Sequence, residues 1–215
     1  MAQHPTAPEL PEQLQEIALV ALSHDESIEE GALSGAAPEQ SARGVSITSS
    51  RLEGADLSSS RLEHLRIASA SLRDCNLANV HARAAHLSRL SVERCRLTGI
   101  TLQAAGLHDV SFSGCRIDLA SFAGARLQRV LFEDCILAQA DFLEAQLESV
   151  CFTGCQLDGA DLRGARMRRC EFRRCTLTGL QGAESLRGAA FEWPAVVELA
   201  GLWAQTLGIE VLEDP

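Results

Sequence analysis

The residue types able to carry chemistry here are cysteine, histidine and the carboxylates, and their spacing decides what they can do. Of eight cysteines, six fall at Cys75, Cys95, Cys115, Cys135, Cys155 and Cys175, twenty residues apart each time. A residue type that recurs at one long fixed interval stacks on itself in the fold. Such thiols point the same way about 4.8 Å apart, whereas zinc needs four ligands converging on one point. No C-x-x-C pair occurs and alanine substitutes in this kind of position elsewhere, so the column is read as packing. Cys151 differs: its place in the repeat predicts an outward-facing thiol, most simply an incidental surface cysteine. The six histidines (His4, His24, His64, His81, His86, His108) show no spacing for a paired metal or nucleophile site. Gly154, Gly159 and Gly164 are evenly spaced corners, with no helix after them to make an anion cradle. The sequence therefore predicts no catalytic residue, no metal ligand and no cofactor, and a protein that is not an enzyme.

What positions these residues is a five-residue period. From Ile47 to Leu177 every fifth residue is apolar, 27 positions in one register, with Ala82 the weakest. A period of five fits neither the 3.6 of a helix nor the 2 of a strand. Combined with the twenty-residue column it describes a coil of four pentads, one pentad to each side of a square. Phe112, Phe132, Phe152 and Phe172 share the interval, as do Ala85, Ala105, Ala125, Ala145 and Ala165. The centre of each pentad and the residue two before it face inward, and the other three face solvent. Glycine often takes the last position, where a corner demands unusual backbone angles. The series makes nearly seven coils, a rod of roughly 32 Å at about 4.8 Å per layer.

Ala55-Asp56-Leu57-Ser58, Ala140-Asp141-Phe142-Leu143-Glu144 and Ala160-Asp161-Leu162-Arg163-Gly164 resemble the A-(D/N)-(L/F)-x-x signature of pentapeptide-repeat proteins. The resemblance runs over Val45 to Gly179 and implies an all-β fold, a right-handed quadrilateral parallel β-helix. The Asp or Asn before the centre is kept only at Asp56, Asn76, Asp141 and Asp161, so the chain is a degenerate version of the pattern.

The ends depart from the period. Residues 1–27 are set apart as an acidic segment. Within it Met1–Pro8 read as disordered, and Leu10, Leu14, Ile17 and Ala21 predict a short helix over Pro11–Leu22. Ile28 and Leu33 open the rod in a slipped register, giving a β-helix over 28–182. In 183–215, Val196, Leu199, Trp203 and Leu207 share a helical face between Pro194 and Gly208, followed by a short strand at Ile209–Leu212. The helix is expected to cap the last coil. The resemblance adds a further role: in gyrase-protecting members this segment joins two rods, which makes those four residues dimer-interface candidates.

Charge separates the function classes. There are 19 arginines, no lysine and a net charge of −10, which argues against direct nucleic-acid binding. No apolar run has the length of a membrane span and no basic stretch precedes an apolar one, so a cytoplasmic protein with reduced thiols is expected. Residues 45–129 carry net +4, residues 130–162 net −7 and residues 163–179 net +5. The acidic band is Glu133, Asp134, Asp141, Glu144, Glu148, Asp158 and Asp161. Beside it Leu119, Leu131, Ile136 and Leu143 occupy outward positions. This acidic, partly apolar band is the predicted partner surface of a protein-interaction module or scaffold. The alternative, implied by the resemblance, is a DNA mimic that binds a type II topoisomerase and protects it from a gyrase poison. A mimic of that length needs on the order of 19 negative charges, against the rod's net +2.

Overall fold

The structure, a computed structural model, describes residues 2–211. Ten strands stack in parallel along one side of a solenoid of about nine turns, from Gln15–Ala18 and Gly31–Ser34 up to Cys170–Arg173 and Ala189–Phe191. Through the middle the register advances by twenty: Leu87 pairs with Leu107, Leu107 with Leu127, and Leu127 with Leu147. Each backbone group thus finds its partner in the coil above or below, leaving only the two ends open.

The rod is longer than the five-residue series because both flanks join it. The helix expected over Pro11–Leu22 is instead a strand, Gln15–Ala18, with Ile17 opposite Leu33. An isolated helix of about twelve residues is marginal in water. On the rod end the same segment gains backbone bonds from Gln15 N–H to the Glu30 carbonyl and from Leu19 N–H to that of Ser34, and it buries Leu19 and Leu22. The slipped register is present: Ile28 lies opposite Ile47, nineteen residues on. Residues 2–8, read as disordered, lie against the rod, where Ala2 N–H donates to Glu171 Oε1 at 2.6 Å and Thr6 N–H to Asp109 Oδ1 at 3.1 Å.

The last position of the pentads holds the corner. From Ser49 to Gly179 the last position of every pentad has a positive, left-handed φ, including non-glycines such as Asp74, Asp109, Leu119 and Ser149. This conformation costs an L-residue roughly 1–2 kcal/mol, which is why glycine recurs there.

The interior changes character along the axis. The upper half is filled by phenylalanines stacked at the strand spacing: Phe112–Phe132 and Phe132–Phe152 at 5.0 Å, Phe122–Phe142 at 4.9 Å. The lower half is aliphatic and encloses a void of about 50 Å³ whose lining includes Ala82, Leu62 and Leu102. Ala82→Val places two more carbons at that void. It is expected to raise stability by about 1 kcal/mol, seen as a higher urea midpoint at unchanged slope; a lower midpoint would mean the site is already full.

At the far end, helix Trp193–Thr206 closes the rod, with Pro194 in its first turn and Leu199 2% exposed against the core. Carboxylates stand in for the missing next coil. Glu192 Oε2 accepts from Arg174 N–H at 3.1 Å, and Glu198 Oε1 accepts from Leu177 N–H at 3.2 Å. Residues 209–211 form no strand, and the remainder of the segment expected at Ile209–Leu212 lies outside the described residues.

Candidate functional surface

The acidic band wraps the rod rather than gathering on one side. Glu133 and Asp134 follow Phe132, and Asp158 follows Leu157 on the next face. Asp141, Glu144 and Asp161 lie on the face of Phe142 and Leu162, and Glu148 on that of Leu147. The register confirms the separation: Asp141 bridges to Asp161, while Glu148 lies opposite Gln128 and Arg168. The arginine-rich stretch above closes onto two of these acids. Arg163 pairs with Asp161 at 2.6 Å, and Arg168 and Arg169 both reach Glu148. The hydrogen bond from Arg163 holds the Asp161 carboxyl below the usual carboxylate range. Among the described residues Glu133, Asp134, Asp141, Glu144 and Asp158 make no ion pair.

Part of the band is also structural. Asp141 Oδ1 accepts the Leu143 N–H at 2.9 Å and Asp161 Oδ1 the Arg163 N–H at 3.0 Å, as Asp56 does for Ser58. A carboxylate before the pentad centre thus tethers the turn two residues on, which is the physical reason for the Asp or Asn of the repeat signature.

The four outward apolar residues fare differently. Leu119 and Leu143 stand 56% and 39% exposed, on adjoining faces. Ile136, on the face of Leu119 and one coil up, is half-buried, as is Leu131, which lies opposite Ser111 and Cys151. Leu119 combines three costs at one position. It is large, apolar and exposed, and its φ of 59° is left-handed. The φ belongs to the corner, but a large apolar side chain left in solvent there is what sets Leu119 apart as a candidate contact residue.

The thiol column packs as expected from its spacing and adds a bond that spacing did not reveal. Cys115 Sγ donates to the Val92 carbonyl at 3.3 Å, Cys135 to Phe112 at 3.5 Å and Cys155 to Phe132 at 3.3 Å. Each thiol ties its corner to the coil below. Cys151 occupies the predicted outward position but is not on the surface: it is buried, and burial pushes its thiol up. The expectation of a solvent-facing thiol fails at a corner where the N-terminal residues dock, with Cys151 opposite the anchor Glu171, a contact that no repeat pattern contains.

The helical face of Val196, Leu199 and Trp203 is turned toward its own rod. Leu199 is in the core, Val196 is half-buried, and Trp203 packs edge-on against Phe191 with centroids 6.1 Å apart. Of the four dimer-interface candidates only Leu207 stands in solvent, and among the described residues the large exposed apolar side chains of the segment are Trp193, Val197, Leu207, Ile209 and Val211.

Comparison with known proteins places the repeat. A family model described as a pentapeptide repeat region matches residues 85–162, and one described as pentapeptide repeats in eight copies matches residues 155–181. No curated protein is detectably similar in sequence. Among solved structures the chain is similar to HetL, a pentapeptide repeat protein involved in heterocyst differentiation regulation from the cyanobacterium Nostoc. The two are 20% identical over 84% of this chain and 91% of the other, with a TM-score of 0.54. It is also similar to QnrB1, a plasmid-mediated fluoroquinolone resistance protein, at 18% identity, 94% and 100% coverage and a TM-score of 0.34. A pentapeptide repeat protein of the Arabidopsis thaliana thylakoid lumen matches at 17% identity over 43% of this chain and 65% of the other, with a TM-score of 0.33. At these identities the likeness concerns the fold.

Proposed function

Because this chain belongs to the pentapeptide-repeat family, we propose that it is a non-enzymatic protein-interaction module whose contact surface is the band at 119–161. The observation that carries this reading is the pairing of outward carboxylates that make no ion pair among the described residues with the exposed Leu119 and the exposed Leu143. Interface residues of this kind supply apolar anchors, and carboxylates around them set orientation and partner charge. The partner is accordingly a protein with a basic, partly apolar face, met in a reducing cytoplasm where eight free thiols persist. Two copies of the chain make the second contact we propose, through the outer face of the C-terminal helix at Trp193, Val197 and Leu207.

The test compares wild type with Leu119→Arg/Leu143→Arg in affinity capture followed by direct binding to the captured protein. The double change is expected to weaken binding at least tenfold, about 1.4 kcal/mol or more, with the melting curve unchanged or raised. Equal binding by both chains would remove this surface. The topoisomerase reading is favoured by one feature, the five carboxylates without an ion pair on three successive faces. It is checked by a gyrase supercoiling assay with and without a quinolone. The absence of both inhibition and rescue at micromolar protein would exclude it.

A further inference from the structure

One corner of the rod, between the face of Leu107, Leu127 and Leu147 and the face of Phe112, Phe132 and Phe152, behaves unlike the other three. Outward positions of the repeat are mostly exposed. Yet Ser69, Asp109, Ser149, Cys151 and Glu171 are all buried, and all lie along this corner. Asp109 and Glu171 anchor the first part of the N-terminal arm, because they accept the Thr6 and Ala2 N–H groups. Their coils are three steps apart, about 14 Å at the interstrand spacing. Four residues of chain reach that far only when nearly fully extended.

The arm has a period of its own. The half-buried residues Ala2, Pro5, Pro8, Pro11 and Leu14 recur every third position, with Leu10 half-buried besides. Three residues per turn without internal hydrogen bonds is the geometry of polyproline II, and proline sets it in advance by fixing φ. The groove receives it with small residues, Ser71, Ser91 and Ser111, in the outward column that continues to Leu131 and Cys151. The two anchoring carboxylates are themselves held in place. Arg129 donates to both oxygens of Asp109, at 2.7 and 2.8 Å, and His108 Nδ1 lies 2.8 Å from Oδ2. Arg173 donates twice to Glu171 Oε2, at 2.9 and 2.6 Å. These bonds read backbone rather than side-chain identity, as grooves for extended peptides do.

The arm leaves one polar group of this groove unpaired. Ser149 Oγ, between the two anchors, is buried with no hydrogen-bond partner among the described residues. A buried hydroxyl left unpaired is costly, and here it sits where a bound chain would supply the missing group.

We propose that this corner groove is a binding site for an extended, proline-punctuated peptide segment, occupied in cis by residues 2–14 and taken in trans by a partner's segment of the same chemistry when the arm lets go. The partner segment carries proline or a small residue at every third position. It offers two backbone N–H groups four residues apart to Asp109 and Glu171, and a hydrogen-bonding group to Ser149. This surface is separate from the band at 119–161 except at Leu131, so either can fail without the other.

Cys151 reports on the groove, since it is buried there opposite the arm's anchor Glu171 and the other thiols of the repeat face inward. The experiment uses the full chain with Pro5→Gly/Pro8→Gly, which loosens the arm without touching any strand, and a synthetic peptide of residues 2–14 as the probe. Cys151 modification by 4,4′-dithiodipyridine, assigned by its loss in Cys151→Ser, is expected to be at least tenfold faster in the double variant than in wild type. Adding the peptide is expected to restore the slow rate, with half-protection at micromolar concentration, and a peptide with glycine at all three prolines is expected to need at least fivefold more. An unchanged rate in the variant, or peptide that gives no protection up to millimolar concentration, would overturn the proposal. Wild type gives an independent reading: Cys151 should react through local opening, at a rate nearly insensitive to low urea. Reaction only with the urea dependence of global unfolding would mean that the arm is a fixed part of the fold and would equally overturn it.

Discussion

Phe132→Ala is expected to lower the free energy of unfolding by about 4 kcal/mol, the range for deleting a fully buried phenylalanine side chain. Phe132 has no exposed surface, stacks on Phe112 and Phe152 at 5.0 Å, and meets Phe122 edge-on at 6.1 Å. One truncation therefore breaks three aromatic contacts, each worth about 0.5–1.5 kcal/mol beyond its buried area. The coils above and below are held at fixed spacing by their backbone ladders, so they cannot close on the cavity. The same change at Leu102 should cost less, about 2–3 kcal/mol, because that side chain already borders the interior void and has fewer partners to lose. Urea unfolding of both variants checks this. A loss below about 1 kcal/mol at Phe132 would show that the column relaxes and that stacking contributes little.

That contrast was half-visible in the sequence. The five-residue series and the twenty-residue column together located the coil and its inward positions, because a repeat forces each residue type to meet its own copy; Ala82 stood out as the weakest centre, and the structure puts it at the void. The flanks were not legible in the same way. Leu10, Leu14, Ile17 and Ala21 satisfy a helical period, and only the unpaired edge of the first coil, a tertiary feature, makes a strand there the better solution. The arm left a fainter trace. Pro5, Pro8 and Pro11 are three apart, but polyproline II forms no internal bonds, so nothing in residues 2–14 distinguishes a docked strap from a free tail until a groove is present. Cys151 was misplaced for the same reason. At the surface, the acids and leucines were legible but not their faces, nor that Arg163, Arg168 and Arg169 neutralise one edge of the band while five carboxylates are left without an ion pair among the described residues.

Leu199→Asp is expected to detach the C-terminal helix, at a cost of about 4 kcal/mol for an unpaired charge placed against an apolar core. The helix is not joined to the rod by a ladder. It is held by Leu199, by Trp203 against Phe191, and by Glu192 and Glu198 accepting the N–H groups of Arg174 and Leu177. Losing Leu199 releases all of these together and leaves an unpaired coil edge, which is a template for another chain. Coils depend chiefly on their neighbours, so the rod below should persist. Far-UV circular dichroism should lose the helical signal at a temperature where the strand signal remains, and light scattering should show association. Val197→Asp is the matched control, because Val197 faces solvent on the same helix. It should leave melting within about 0.5 kcal/mol of wild type, and a change in mass from that variant alone would identify the outer face as the contact between two copies. If Leu199→Asp melts like wild type, the helix is not the cap, and the carboxylates of Glu192 and Glu198 must close the last coil on their own.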